Sequence, residues 1–134
     1  MSASTAKLRE LLAAEADVSL AILFGSLARG DAGRDSDLDI AVSTGRPMTA
    51  TRCQELADRL AVLAGRPIDL VDLSTVGGAL LGRILRRGTV VAQRDPGALG
   101  RLYERFLDWQ ADFAPAVESL LESRHQRLLS PGHG

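Results

Sequence analysis

Hydrophobic positions recur along this chain in two alternating rhythms. Residues 4–16 put Leu8, Leu11 and Leu12 on one face at helical spacing. Residues 18–24 (VSLAILF) form a short, almost wholly apolar run, the pattern of a buried strand. A Gly- and Asp-rich stretch over 29–36 reads as loop or at most a helical turn, and 38–42 as a second strand. After a break at 45–47, Thr49 or Thr51 can cap a helix that runs to about Ala64 with Leu56, Leu60 and Leu63 inward. Gly65 stands where a left-handed residue ends a helix at little cost. A third strand is expected over 67–73 (PIDLVDL), then a helix capped by Ser74 and ending at Gly88. Arg83, Arg86 and Arg87 would sit in its last turn, against the negative helix end. Residues 89–93 suggest a fourth strand. Asp95-Pro96 is a cap followed by proline at the first helical position, and the last helix should run to Leu129, bent or split near Pro115.

The alternation predicts an α/β (α+β) fold: a mixed sheet of about four to five strands flanked by helices, with a long C-terminal helical segment. All 134 residues are expected to form one domain, with the helical segment at 96–129. Composition narrows the function classes. Hydrophobic residues at 46% and charged residues at 25% are ordinary for a globular protein. A net charge of -1 gives no basic excess of the kind nucleic-acid-binding domains show, so nucleic acid is not an expected partner. The single Cys53 excludes an internal disulfide and reads as helix packing. No stretch approaches the roughly 18–20 apolar residues of a membrane span, and residues 1–7 lack a signal-peptide core. A cytoplasmic protein is the expectation.

The chemistry concentrates in residues 24–40, FGSLARGDAGRDSDLDI. Gly25 and Gly30 have P-loop spacing, but Asp31 and Ala32 stand where Lys and Ser/Thr belong. Asp35, Asp37 and Asp39 begin like a calcium loop, yet Ile40 replaces its Gly and Arg46 its final Glu. What remains has its own logic. Asp37 and Asp39 are two apart at the start of a strand and so share one face, with Leu38 and Ile40 directed to a core. Adjacent carboxylates repel unless cations neutralise them, and Mg²⁺ suits one or two carboxylates with phosphate oxygens and waters. Gly25-Ser26, after the apolar strand, offers backbone amides and a hydroxyl to phosphates. Arg29 and Arg34 can add positive charge. Asp-x-Asp alone would suit a solvated acidic loop, and Gly-Ser alone a tight turn. Their fixed spacing between apolar strands favours the catalytic reading.

Gly25-Ser26, ten residues, then Asp37-Leu38-Asp39 resembles the signature of the polymerase β-like nucleotidyltransferases, and in wording their minimal, MNT-domain branch. The resemblance implies two Mg²⁺ ions on Asp37 and Asp39, a third carboxylate from a later strand, and the phosphates of ATP held by Gly25 and Ser26. Two candidates offer the third carboxylate, Asp69 in Ile-Asp-Leu and Asp72 in Val-Asp-Leu. They are three apart and must face opposite sides of a regular strand. Asp69 is preferred, because Asp72 lies near the strand end and can instead support the next helix start.

The resemblance also implies an antitoxin that moves AMP from ATP to a tyrosine of a HEPN-domain ribonuclease toxin. A small-molecule (aminoglycoside-like) transferase and a binding-only antitoxin are the alternatives. Tyr103, Phe106, Trp109 and Phe113 add an aromatic stripe to the last helix, joined by Leu102, Val117, Leu120 and Leu121. Its first half should pack on the sheet, and residues 118–129 are expected to touch the toxin in a hetero-oligomer. His125 and His133 suggest no metal site.

Overall fold

The computed structural model describes the backbone of residues 3–25 and 37–129, and side chains from Thr5 to Phe113 within those bounds. Helices and strands alternate as α1 (Ala3–Ala14), β1 (Leu20–Phe24), β2 (Leu38–Ser43), α2 (Ala50–Ala64), β3 (Ile68–Asp72), α3 (Gly78–Arg87), β4 (Thr89–Gln93) and α4 (Ala98–Leu129). The four strands form one mixed sheet in the order β3-β2-β1-β4. β1 pairs antiparallel with β2 and with β4, whereas β2 and β3 run parallel.

Both sheet faces are covered, so the inner strands β1 and β2 are apolar on both sides, as the run in residues 18–24 foretold. On one face Leu23, Leu38, Ile40 and Val42 pack with Leu8 and Leu12 of α1 and Leu56 and Leu60 of α2. On the other, Leu20, Ile22, Phe24 and Ala41 pack with Leu81 and Ile84 of α3 and Ala98 and Leu102 of α4. Burying each of these leucines and isoleucines is worth about 1.5–3 kcal/mol, so the two clusters fix the strands' facing far more firmly than any surface pair. Arg52 of α2 adds a clamp outside the core by donating to Asp17 and Glu15 in the corner between α1 and β1.

Local signals set most boundaries. The Thr49 hydroxyl accepts from Arg52 N at 3.0 Å, and Gly65 closes α2 in the left-handed conformation at φ 71°. Three expectations need correction. Ser74 does not cap α3, which starts at Gly78 after an extended Gly77 with no side-chain cap. The backbone first folds into a turn in which Thr75 N and Val76 N both donate to Asp72 O at 3.1 Å. Arg83 stands one turn before the last-turn basic pair Arg86 and Arg87. And α4 is not split at Pro115: it is one helix of 32 residues, long enough to lose one hydrogen bond and continue. Asp95 does cap the approach to α4, accepting from Gly97 N at 2.9 Å, although the regular helix begins at Ala98.

Gly88 follows α3 and leads into β4. A Cβ there would lie 2.3 Å from Ile22 Cγ2 and 2.5 Å from the Ile84 carbonyl oxygen. Because one of those atoms is backbone, the clash cannot be relieved by rotating a side chain. We expect Gly88→Ala to destabilise the fold by about 1–3 kcal/mol, read as a lowered midpoint in chemical denaturation.

Candidate active site

The pairing of strands brings the acidic residues together. β2 and β3 run parallel with Asp39 directly beside Asp69, and Phe24 of β1 faces Asp39 from the other side. Leu38 and Ile40 are fully buried against α1 and α2, so alternation turns Asp39 to the face of α3 and α4. Asp69 takes that same face, since Ile68 and Leu70 pack on the first cluster and Val71 on the second. Both carboxylates thus stand at the end of the sheet where β1 finishes and β2 and β3 begin. Asp37 is exposed at the entry to β2, Asp39 half-buried and Asp69 exposed.

Gly25 makes this arrangement possible. It leaves β1 at φ +82°, and a Cβ on it would lie 2.1 Å from Asp39 Oδ2. Glycine is therefore required twice, for its left-handed backbone and for the space the carboxylate occupies. Ser26, Arg29 and Arg34 lie outside the described residues.

The electrostatics match the crowding. Burial, then the neighbouring carboxylates of Asp69 and Asp37, hold the Asp39 carboxyl above its ordinary range, with Asp69 within hydrogen-bonding reach. Among the described residues, Arg83 of α3 is the one cation that opposes this rise. Sequence reasoning assigned Arg83 to the helix end. Its neighbours in α3, Gly82 and Ile84, are buried, Gly82 against Phe106 of α4. Among the described residues no three acidic, His or Cys side chains form a ready-made metal cage. Mg²⁺ does not need one. It keeps several waters and binds through one or two carboxylates plus phosphate oxygens, and the Asp39–Asp69 pair, short of positive charge, fits that demand.

Asp72 has a different task. Its Oδ2 accepts from Met48 N at 2.8 Å and its Oδ1 from Ser74 N at 2.9 Å. Both oxygens are committed to backbone amides on the opposite face, where they tie the end of β3 to the segment leading into α2. The geometry thus separates the two candidates for a third carboxylate: Asp69 stands with Asp39 and Asp72 does not.

Residues 6–97 match the family described as Polymerase beta, Nucleotidyltransferase, which covers both strands of the acidic site. The chain belongs to this family. Within it, 71 residues are 35% identical to the protein adenylyltransferase MntA of Shewanella oneidensis, and this match spans 53% of the chain and 51% of the relative, about half its length. Among solved structures, a toxin–antitoxin complex with AMP-PNP contains a similar fold at TM-score 0.68 and 24% identity, covering 88% of this chain and 96% of that one. A complex of tri-AMPylated Shewanella oneidensis HEPN toxin with an MNT antitoxin gives TM-score 0.64 at 21% identity, over 88% and 98% of the two chains. The minimal nucleotidyltransferase fold expected from the sequence is the one observed.

Two outcomes distinguish the acidic residues of this polymerase β-type domain. Asp72→Ala strands two backbone donors and should cost about 1–3 kcal/mol of stability. Asp39→Asn should do the reverse in metal-free buffer. A carboxyl whose folded-state value is raised binds more protons folded than unfolded, so it removes stability as pH climbs from its ordinary value through the raised one. At neutral pH the amide escapes that penalty, and we expect a higher melting temperature for Asp39→Asn with EDTA present, the difference vanishing well below pH 3.8. A lower melting temperature at pH 7 would contradict a site in which burial and the neighbouring carboxylates disfavour the charged Asp39.

Proposed function

We propose that the chain is a Mg²⁺-dependent nucleotidyltransferase that moves AMP from ATP to a protein hydroxyl, a tyrosine of a cognate HEPN ribonuclease toxin, and so acts as its antitoxin in the cytoplasm. The observation that carries the reading is the in-register pair Asp39–Asp69 beside Gly25, at the sheet end where Asp37 also stands. Asp37, Asp39 and Asp69 would hold two Mg²⁺ ions, which would neutralise the triphosphate and make the α-phosphorus electrophilic. Gly25, with Ser26, would seat the β- and γ-phosphates just past the end of β1. Asp69, the more exposed of the paired carboxylates, would take the proton of the attacking hydroxyl. The new bond joins the acceptor oxygen to the α-phosphorus, the bond to the β-phosphate oxygen breaks, and pyrophosphate leaves. Rate enhancement rests on positioning and on charges placed before the reaction begins.

Kinship to a protein adenylyltransferase supports the choice of AMP and of a protein acceptor, and the fold shared with toxin-bound antitoxins supports a HEPN partner. The long helix α4 supplies a surface for such a partner. Leu102 is buried and Phe106 packs on the second core cluster, while Tyr103, Leu107 and Phe113 stay exposed at 44%, 58% and 55%. Phe106, Trp109 and Phe113 stack in succession, with ring centroids 5.9 and 6.0 Å apart. The partner-facing side chains expected over 118–129 lie outside those described. No helix among the described residues is long and apolar enough to cross a membrane.

Incubation of the purified chain with labelled ATP, Mg²⁺ and the product of the neighbouring gene tests the proposal. We expect one or more AMP additions on that partner by intact mass, and a rate lower by about 10²-fold or more for Asp37→Asn/Asp39→Asn. No addition with any of the four nucleotides would remove the protein-acceptor reading. It would favour a small-molecule acceptor or neutralisation by binding alone.

A further inference from the structure

At the other end of the sheet, away from the carboxylates, lies a cavity of about 230 Å³ between the strand ends and α4. Ser19 precedes β1, Ser43 ends β2 and Leu73-Ser74 succeeds β3; Ala98, Arg101, Leu102 and Arg105 come from the first two turns of α4. Asp39 and Ser43 are four residues apart on β2, a rise of about 13 Å, so this cavity is separate from the acidic site.

The lining is chemically one-sided. Arg101 and Arg105 are four apart on a helix and therefore neighbours on one face. Among the described residues, no acidic side chain lines the cavity. Arg101 pairs with Asp95, and Arg105 donates to the Val76 carbonyl oxygen at 3.4 Å. Each guanidinium has five N–H donors, so most remain available, and Arg105 has no carboxylate in ion-pair contact among the described residues. The Ser43 hydroxyl already accepts from Gly45 N at 3.3 Å, leaving its own proton to donate. Ser74 binds through its backbone amide to Asp72, and its hydroxyl has no hydrogen-bond partner among the described residues. Leu73, Leu102 and Ala98 are buried and add an apolar part to the lining. At about 30 Å³ per water, the cavity holds several waters and hence a small oxyanion.

We propose that this pocket is a second ligand site that binds a small phosphate-type oxyanion, inorganic phosphate or pyrophosphate, through Arg101, Arg105, Ser43 and Ser74. The two guanidiniums have only donors and each hydroxyl can donate its proton, the complement of a group that presents only acceptors. The pocket is independent of the proposed transfer reaction and does not require Mg²⁺.

Titration of the ¹⁵N-labelled protein with phosphate and then pyrophosphate, in EDTA at fixed ionic strength, tests it. Saturable amide shifts centred on Ser43, Gly45 and Ser74 are expected. Arg101→Gln/Arg105→Gln should weaken binding at least tenfold, whereas Asp39→Asn should leave it unchanged. Should the double variant lose its dispersed spectrum, Arg105→Gln and Ser74→Ala singly are each expected to weaken binding several-fold. Shifts that match those from chloride, or that centre on the strand end bearing Asp39 and Asp69, would overturn the proposal.

Discussion

Two carboxylates that repel one another stand side by side at the end of the sheet, and the alternation of the strands that carry them leaves them no other position. Asp39 cannot turn away, because Leu38 and Ile40 on either side of it are buried in the cluster under α1 and α2. A slip of β2 by one residue would put Asp39 into that cluster and Leu38 and Ile40 into the acidic site, at a cost of several kcal/mol. Nor can Asp69 retreat, since the parallel register with β2 sets it opposite Asp39. The hydrophobic core thus supplies the free energy that holds an unfavourable arrangement of charge. Gly25 completes the constraint by yielding the one volume into which the Asp39 carboxylate fits.

The same alternation divides labour along β3. Asp69 and Asp72 have near-identical apolar flanks in the sequence, yet three residues of strand rotate them to opposite faces. On one face a carboxylate meets another carboxylate; on the other it meets two backbone N–H groups that would otherwise lack partners. Both oxygens of Asp72 are saturated, so the residue is a structural tie. Asp69 accepts from no backbone amide among the described residues, and in the proposed reaction its lone pairs would take a cation or a proton.

Why some features were legible in the sequence and others not comes down to the range of the forces involved. The apolar run ending at Phe24, the Thr49 cap and the Gly65 stop are decided within a few residues of themselves, and the sequence displays them. Strand period also suggests that Asp37 accompanies Asp39; Asp37 lies one residue before β2, near enough to help raise the Asp39 carboxyl. Ser74 misled because it has the right chemistry for a cap, but Asp72 takes its N–H and turns the backbone before a helix can start. Arg83 reads as one of three arginines near a helix end. Only the packing of α3 on the sheet brings it, and not Arg86 or Arg87, to bear on Asp39. The apolar spacing of Leu81 and Ile84 shows which face of α3 is buried, but not that Arg83 reaches the strand end that bears Asp39.

Charge at the site also bears on what it can bind, apart from any kinship. Asp37, Asp39 and Asp69 bring three negative charges near one another, and Arg83 opposes them with one. The intervening residues 26–36 carry Arg29 and Arg34 but also Asp31 and Asp35, so by sequence they add no net positive charge. A triphosphate is itself strongly anionic and would be repelled by such a cluster, even after water has screened much of the interaction. Binding there requires that cations arrive with the nucleotide or before it. Divalent ions shared between carboxylate and phosphate oxygens would meet that requirement with the fewest particles. The proposed need for metal thus follows from where the strands put their aspartates, and it would extend to any phosphorylated substrate brought to this end of the sheet.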